Sequence, residues 1–93
     1  MNKYESVFLI KNCKEDEYKK TLEDVLKKIK KIVTIDSIEE IGLRKLAYEI
    51  KKNKQAYYII IKFKAKSEDI AEIERIFRII DEVLKFIIVK IDD

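Results

Sequence analysis

A chain of 93 residues, 47% hydrophobic and 42% charged, has material for one core and not two, because a chain this short buries only about 60–65% of its unfolded surface. It contains no His, one Gly and one Cys, which excludes His-dependent base and nucleophile chemistry, the usual zinc centres, an internal disulfide and the multi-glycine loops that cradle phosphates. A formal charge of +3 selects no partner by itself, and no apolar run approaches the roughly 20 residues of a bilayer span.

Residues 1–10 read as a first strand, with Tyr4, Ser6, Phe8 and Ile10 on one face and Val7 and Leu9 on the other. Over 15–33, Tyr18, Leu22, Val25, Leu26, Ile29 and Ile32 or Val33 recur at helical spacing and form one apolar stripe. Glu15, Asp16 and Glu17 crowd its first turn and Lys27, Lys28, Lys30 and Lys31 its last, each sign where the helix dipole favours it. Residues 34–50 are harder, because Ile35, Ile38 and Ile41 keep a beat of three that a helix could share. The β-branched opening and the alternation of Leu46, Tyr48 and Ile50 with Lys45, Ala47 and Glu49 predict a strand instead, with Gly42 at a bulge. A polar connection over 51–55 leads to a third strand over 57–66. There Tyr57, Ile59, Ile61, Phe63 and Ala65 point one way and Tyr58, Ile60, Lys62, Lys64 and Lys66 the other. Ser67 is read as the N-cap of a second helix carrying Ile70, Ile73, Phe77 and Ile80, and 84–91 as the last strand.

This order of elements predicts a single α+β domain over 1–93 with the ferredoxin-like βαββαβ fold: a four-stranded antiparallel sheet in the order 4-1-3-2, with two helices on one face. The uncovered face then carries Val7, Leu9, Tyr58, Ile60, Ile87, Val89 and Ile91, an apolar patch of the kind that receives a protein partner, unless lysine stems cover part of it. Charge is unevenly distributed. Residues 42–66 hold eight basic side chains, Arg44, Lys45, Lys51, Lys52, Lys54, Lys62, Lys64 and Lys66, against the single acid Glu49, while the remainder of the chain is net acidic. Codon bias explains an abundance of lysine but not the avoidance of acids in one segment, so these residues, with Lys3, are the candidates for contact with a polyanion.

The segment Gly42 Leu43 Arg44 Lys45 Leu46 Ala47 Tyr48 Glu49 Ile50 Lys51 resembles the G-x-R-x-L-A-Y-x-I core of the bacterial small-subunit ribosomal protein six family. Tyr4 Glu5 in the first strand, Gln55 Ala56 Tyr57 Tyr58 leading into the third, and Val89 Lys90 near the end are similar to that family too, so the resemblance covers essentially the whole chain. Two departures stand out: members commonly carry Pro where this chain has Glu49, and many have a longer tail than Asp92 Asp93. The resemblance implies a structural ribosomal protein, not an enzyme, that needs no cofactor and binds small-subunit (16S) ribosomal RNA paired with ribosomal protein eighteen. Phosphate contacts by the cations named above would supply RNA affinity through counterion release. Tyr57 and Tyr58 could stack on bases, but Tyr57 is expected to face the helices and Tyr58 the protein neighbour. The opening Met1 Asn2 Lys3 Tyr4 Glu5 meets a charge at once and offers no cleavage site, so no leader is expected, and the cytoplasm, on the small ribosomal subunit, is the expected location.

The competing reading is a regulatory or oligomerising ferredoxin-like module that pairs its open sheets, which would explain the apolar patch but not the basic segment. A small acyl-phosphate hydrolase of similar topology lacks support because the chain has no glycine-rich anion loop. Cys13 has no His or second Cys to activate it. Glu39 and Glu40 are adjacent and should point to opposite faces of a strand, and Arg75 and Arg78 should pair with Glu72 and Glu74 on a solvated helix face.

Overall fold

The computed structural model describes residues 1–91, so the Asp92 Asp93 tail lies outside the described residues. Its elements are β1 (Asn2–Lys11), α1 (Glu15–Lys30), β2 (Thr34–Ile50), β3 (Asn53–Ala65), a single 3₁₀ turn (Ser67–Asp69), α2 (Ile70–Ile79) and β4 (Val83–Lys90). The sheet order is β2-β3-β1-β4 with every pair antiparallel, the expected order read from its other edge.

The alternation of β1 does what period two requires. Tyr4, Ser6, Phe8 and Ile10 are all buried against the helices, and the Ser6 hydroxyl is satisfied by donating to the Ile87 carbonyl at 2.9 Å. From α1, Tyr18, Leu22, Val25 and Ile29 close over them, and from α2, Ile73, Ile76 and Phe77. Phe77 lies between Phe86, on which it stacks, and Phe8, to which it is tilted by 42°, each ring centre 5.0 Å away. Phe8 and Phe77 are fully buried and Phe86 partly so; full burial of a large apolar side chain contributes about 1.5–3 kcal/mol, so this aromatic triplet is a principal tie between α2 and the sheet.

β1 and β4 are each displaced by one residue from the expected 1–10 and 84–91, and four larger differences from the sequence expectation stand out. Helix α1 stops at Lys30 rather than 33, because the Ile32 and Val33 amides turn back onto the Ile29 carbonyl and Val33 then packs into the core as a non-helical residue. Ser67 is not the N-cap of α2: it opens the 3₁₀ turn, α2 begins three residues later, and neither start carries a side-chain cap. Ile80 is buried but lies just past the end of α2, in extended backbone.

The fourth difference shapes the molecule. Instead of a polar connection over 51–55, β2 and β3 meet in a two-residue turn, with Ile50 opposite Asn53 and Lys51 and Lys52 at φ of 47° and 68°. Consecutive positive φ values are what a tight hairpin needs, and they are unfavourable for residues with a Cβ. Asn53 supports the turn, its side-chain amide donating to the Ile50 and Lys51 carbonyls at 3.3 and 3.0 Å. The β2–β3 register shifts at three places, the first between Ile35 and Ser37. At Gly42, φ is +97° and the register slips between Glu40 and Gly42, which is the expected bulge. Nearer the turn, the pairing jumps from Lys45 opposite Gln55 to Ile50 opposite Asn53, so residues 46–49 oppose Lys54 alone and β2 bows outward.

Candidate nucleic-acid and protein-binding surfaces

Backbone register fixes which side chains share the helix-free face. One row across the sheet runs Glu39, Ile60, Val7, Ile87, and the next runs Gly42, Tyr58, Leu9, Lys85. Ile87 and Val89 are 53% and 48% exposed, and Val7, Tyr58, Ile60 and Ile91 are half-buried. Leu9 is a correction to the expected patch: only 7% of it is accessible, because Tyr58 and Lys85 flank it in the register, and it forms the floor of a shallow hollow of about 210 Å³ instead of a contact surface. Leu9 and Ala56 are buried yet lie outside the cluster between sheet and helices, so part of the supposedly bare face has cover of its own. Lys85, at the edge of that hollow, is a cation that alternation alone did not single out.

The basic residues do not form one zone. Arg44, Lys45, Lys51, Lys52 and Lys54 gather in the β2–β3 arm, all exposed, and among the described residues none of the five forms an ion pair. Arg44 spends one guanidinium nitrogen on the Leu43 carbonyl at 3.0 Å. Lys62, Lys64 and Lys66 lie at the opposite end of β3 and its exit, where Lys64 registers with Lys3 of β1. Ten residue steps of strand lead from Lys54 to Lys64, about 33 Å at the usual rise, comparable with the 36 Å long axis of the molecule. Acids also interleave at that second end: Lys64 pairs with Asp36 at 3.7 Å and Lys62 registers with Glu5. The arm is therefore the stronger positive surface.

Tyr57 and Tyr58 take the two faces expected of them. Tyr57 stacks on Tyr18 of α1 with ring centres 4.0 Å apart and donates to the Cys13 carbonyl at 3.2 Å. Tyr18 in turn donates to Glu40 at 2.6 Å, while Glu39 registers with Ile60 on the other face. Burial, reinforced by the hydrogen bond to Glu40, pushes the Tyr18 phenol well above its usual range. Burial and then the nearby Glu17 carboxylate push the Cys13 thiol up, away from nucleophilic character. Arg75 pairs with Glu72, and Arg78 with Glu74 at 3.6 Å, on the exposed side of α2.

The aromatic residue that sequence reasoning passed over is Tyr48. It is 64% exposed in the bowed part of β2 and reaches across the sheet to β4, where Lys85 donates to its hydroxyl at 3.3 Å. The ammonium lies 5.9 Å from the ring centre, nearly in line with the C–O bond, so it sits at the hydroxyl edge and leaves the ring faces open. Strict alternation assigned Tyr48 to an ordinary strand face; the unlike numbers of residues on β2 and β3 between Lys45 and Asn53 were the missing signal.

Among the described residues no three His, Cys, Asp or Glu side chains gather in a possible metal site, and no helix is long and apolar enough to cross a membrane. The fold and its surfaces define the class of protein: a small ferredoxin-like α+β module whose sheet is half open, apolar at its centre and cationic at its ends. The family described as "Ribosomal protein S6" matches residues 3–90. Similar chains include the small ribosomal subunit protein bS6 of Helicobacter acinonychis, 41% identical over 98 residues covering 99% of this chain and 66% of that one. The Campylobacter jejuni protein of the same name is 39% identical over 95 residues, covering 100% and 76%. The crystal structure of 30S ribosomal protein S6 from Thermotoga maritima superposes with a TM-score of 0.89 at 33% identity, covering 97% of this chain and 87% of that one. The chain belongs to the ribosomal protein S6 family, whose members are structural proteins of the small ribosomal subunit and not enzymes. It spans about two thirds of the length of several curated relatives that it matches.

Proposed function

We propose that the chain binds 16S ribosomal RNA in the small subunit of cytoplasmic ribosomes, jointly with ribosomal protein eighteen, and takes part in no catalysis. The observation that carries this reading is the separation of two chemistries on one scaffold. The arm presents Arg44, Lys45, Lys51, Lys52 and Lys54 with no internal ion pair, and the open sheet presents Val7, Ile60, Ile87 and Val89 to a neighbour. Folded RNA is bound largely through backbone and shape, so each lysine or arginine that neutralises a phosphate raises affinity by releasing counterions. Arg44 can fork onto phosphate oxygens, while the lysines act as mobile point charges. The second basic group, Lys3, Lys62, Lys64 and Lys66, supplies a further contact at the other end of the same sheet, tempered by Asp36 and Glu5.

The test is a titration of a 16S central-domain RNA fragment with the chain alone and with ribosomal protein eighteen added. The chain alone should bind weakly and in a salt-dependent way, and the partner should raise affinity at least about tenfold, a coupling of about 1.4 kcal/mol. Equal binding with and without the partner would overturn the joint part of the reading. Self-association of the chain without RNA affinity would favour a sheet-paired homodimer instead.

A further inference from the structure

Beneath the bow of β2 lies a cleft of about 740 Å³, within the span of about 300–1,000 Å³ typical of small-molecule sites. It exists because four residues of β2 are set against one of β3. Its walls come from Asn12, from residues 45–49 of β2, which include Tyr48, and from Lys52, Asn53, Lys54 and Gln55. Among the described residues Glu49 is the only acid on its wall. Cations and an exposed aromatic ring held at its hydroxyl edge by Lys85 are two kinds of group that an unpaired nucleotide engages, through its phosphate and its base face.

We infer that this cleft takes a single unpaired nucleotide of the bound RNA, its base stacked on Tyr48 and its phosphate facing Lys52 and Lys54. The inference rests on the RNA-binding reading above and adds a contact to it that depends on base stacking and not on charge alone. A nucleotide in a duplex cannot enter, since both of its base faces are already covered by neighbours.

The experiment measures affinity for the 16S central-domain fragment, with ribosomal protein eighteen present, across a salt series for the full chain and its Tyr48→Leu, Tyr48→Phe and Lys52→Gln variants. Loss of the ring in Tyr48→Leu should weaken binding about tenfold at every salt concentration, with the slope of log affinity against log salt unchanged. Tyr48→Phe should bind like the unaltered chain, and Lys52→Gln should make the slope shallower by up to about one. Tyr48 is 64% exposed, so the thermal midpoints of these variants should match. If the unaltered chain binds RNA and Tyr48→Leu binds equally well, the stacking inference is overturned and the RNA-binding reading stands. If the unaltered chain binds no RNA, both fall. If Tyr48→Leu weakens association with ribosomal protein eighteen in the absence of RNA, the cleft belongs to the protein partner and the inference is likewise overturned.

Discussion

Tyr18 joins three elements through two interactions: it stacks on Tyr57 of β3 and donates to Glu40 of β2 from its place in α1. Its phenol is held protonated by burial and by that hydrogen bond, so its folded pKa lies above the unfolded value of about 10. Between those two pKa values the folded state holds the proton that the unfolded state has lost, so the contribution to stability is complete below pH about 10 and falls as pH rises above it. Urea midpoints measured between pH 8 and 11.5 should therefore decline at the alkaline end, and Tyr18→Phe should flatten that decline while lowering stability at pH 8 by about 1 kcal/mol for the lost hydrogen bond. An alkaline decline identical in Tyr18→Phe would assign it to other groups. Gly42 makes a second, simpler case. A Cβ there would come no nearer than 3.9 Å to the Arg44 side chain, so space is available, and the penalty of Gly42→Ala is the backbone conformation at φ +97°, about 1–2 kcal/mol by denaturant titration.

At the scale of the element, the proposed function makes the β2–β3 turn a place where stability is set against binding. Lys51 and Lys52 occupy positive φ, where Asn and Gly are favoured, yet they place two cations at the tip of the arm. Replacing the pair with Asn-Gly should raise stability by about 1 kcal/mol and at the same time weaken RNA binding and flatten its salt slope by up to about two. A variant that gained stability with no loss of RNA affinity would show that the tip does not touch phosphate. The same turn shows where sequence legibility ends. Period-two alternation in Tyr4, Ser6, Phe8 and Ile10, the apolar stripes of both helices and the bulge at Gly42 follow from local chemistry, and with them the topology follows. A tight turn is ordinarily announced by Gly or Asn at its centre, and Lys-Lys carries no such signal, so the polar stretch over 51–55 reads as a loop from sequence alone. Ser67 failed as a cap for the opposite reason: a favourable residue stood in place, but the chain opened a 3₁₀ turn first.

Across the whole molecule, a basic stretch that is contiguous in sequence is pulled apart by the strand that carries it. A β-strand spaces residues far more widely than a helix does, so β3 sends Lys54 and Lys64 to opposite ends of a 36 Å molecule. The apolar strip between them was legible from alternation, whereas the burial of Leu9 was not, because it depends on neighbours from β3 and β4. Under the proposed function this layout separates protein contact from RNA contact, and the separation can be tested at Ile87. That residue is 53% exposed and registers with Val7 at the centre of the strip, on an edge strand away from the cationic arm. Ile87→Asp should leave the unfolding free energy within about 0.5 kcal/mol, as exposed substitutions usually do, and should leave the weak RNA affinity of the chain alone nearly unchanged. A charge placed without a partner in an apolar interface is expensive, so association with ribosomal protein eighteen should fall by about tenfold or more. Because coupling between two ligands of one protein is reciprocal, the gain in RNA affinity that the partner confers should then appear only at correspondingly higher partner concentration. Isothermal titration of the two proteins, followed by RNA binding at fixed partner concentration, reads both effects. If Ile87→Asp lowered the RNA affinity of the isolated chain as much as it lowered partner binding, the two surfaces would be one.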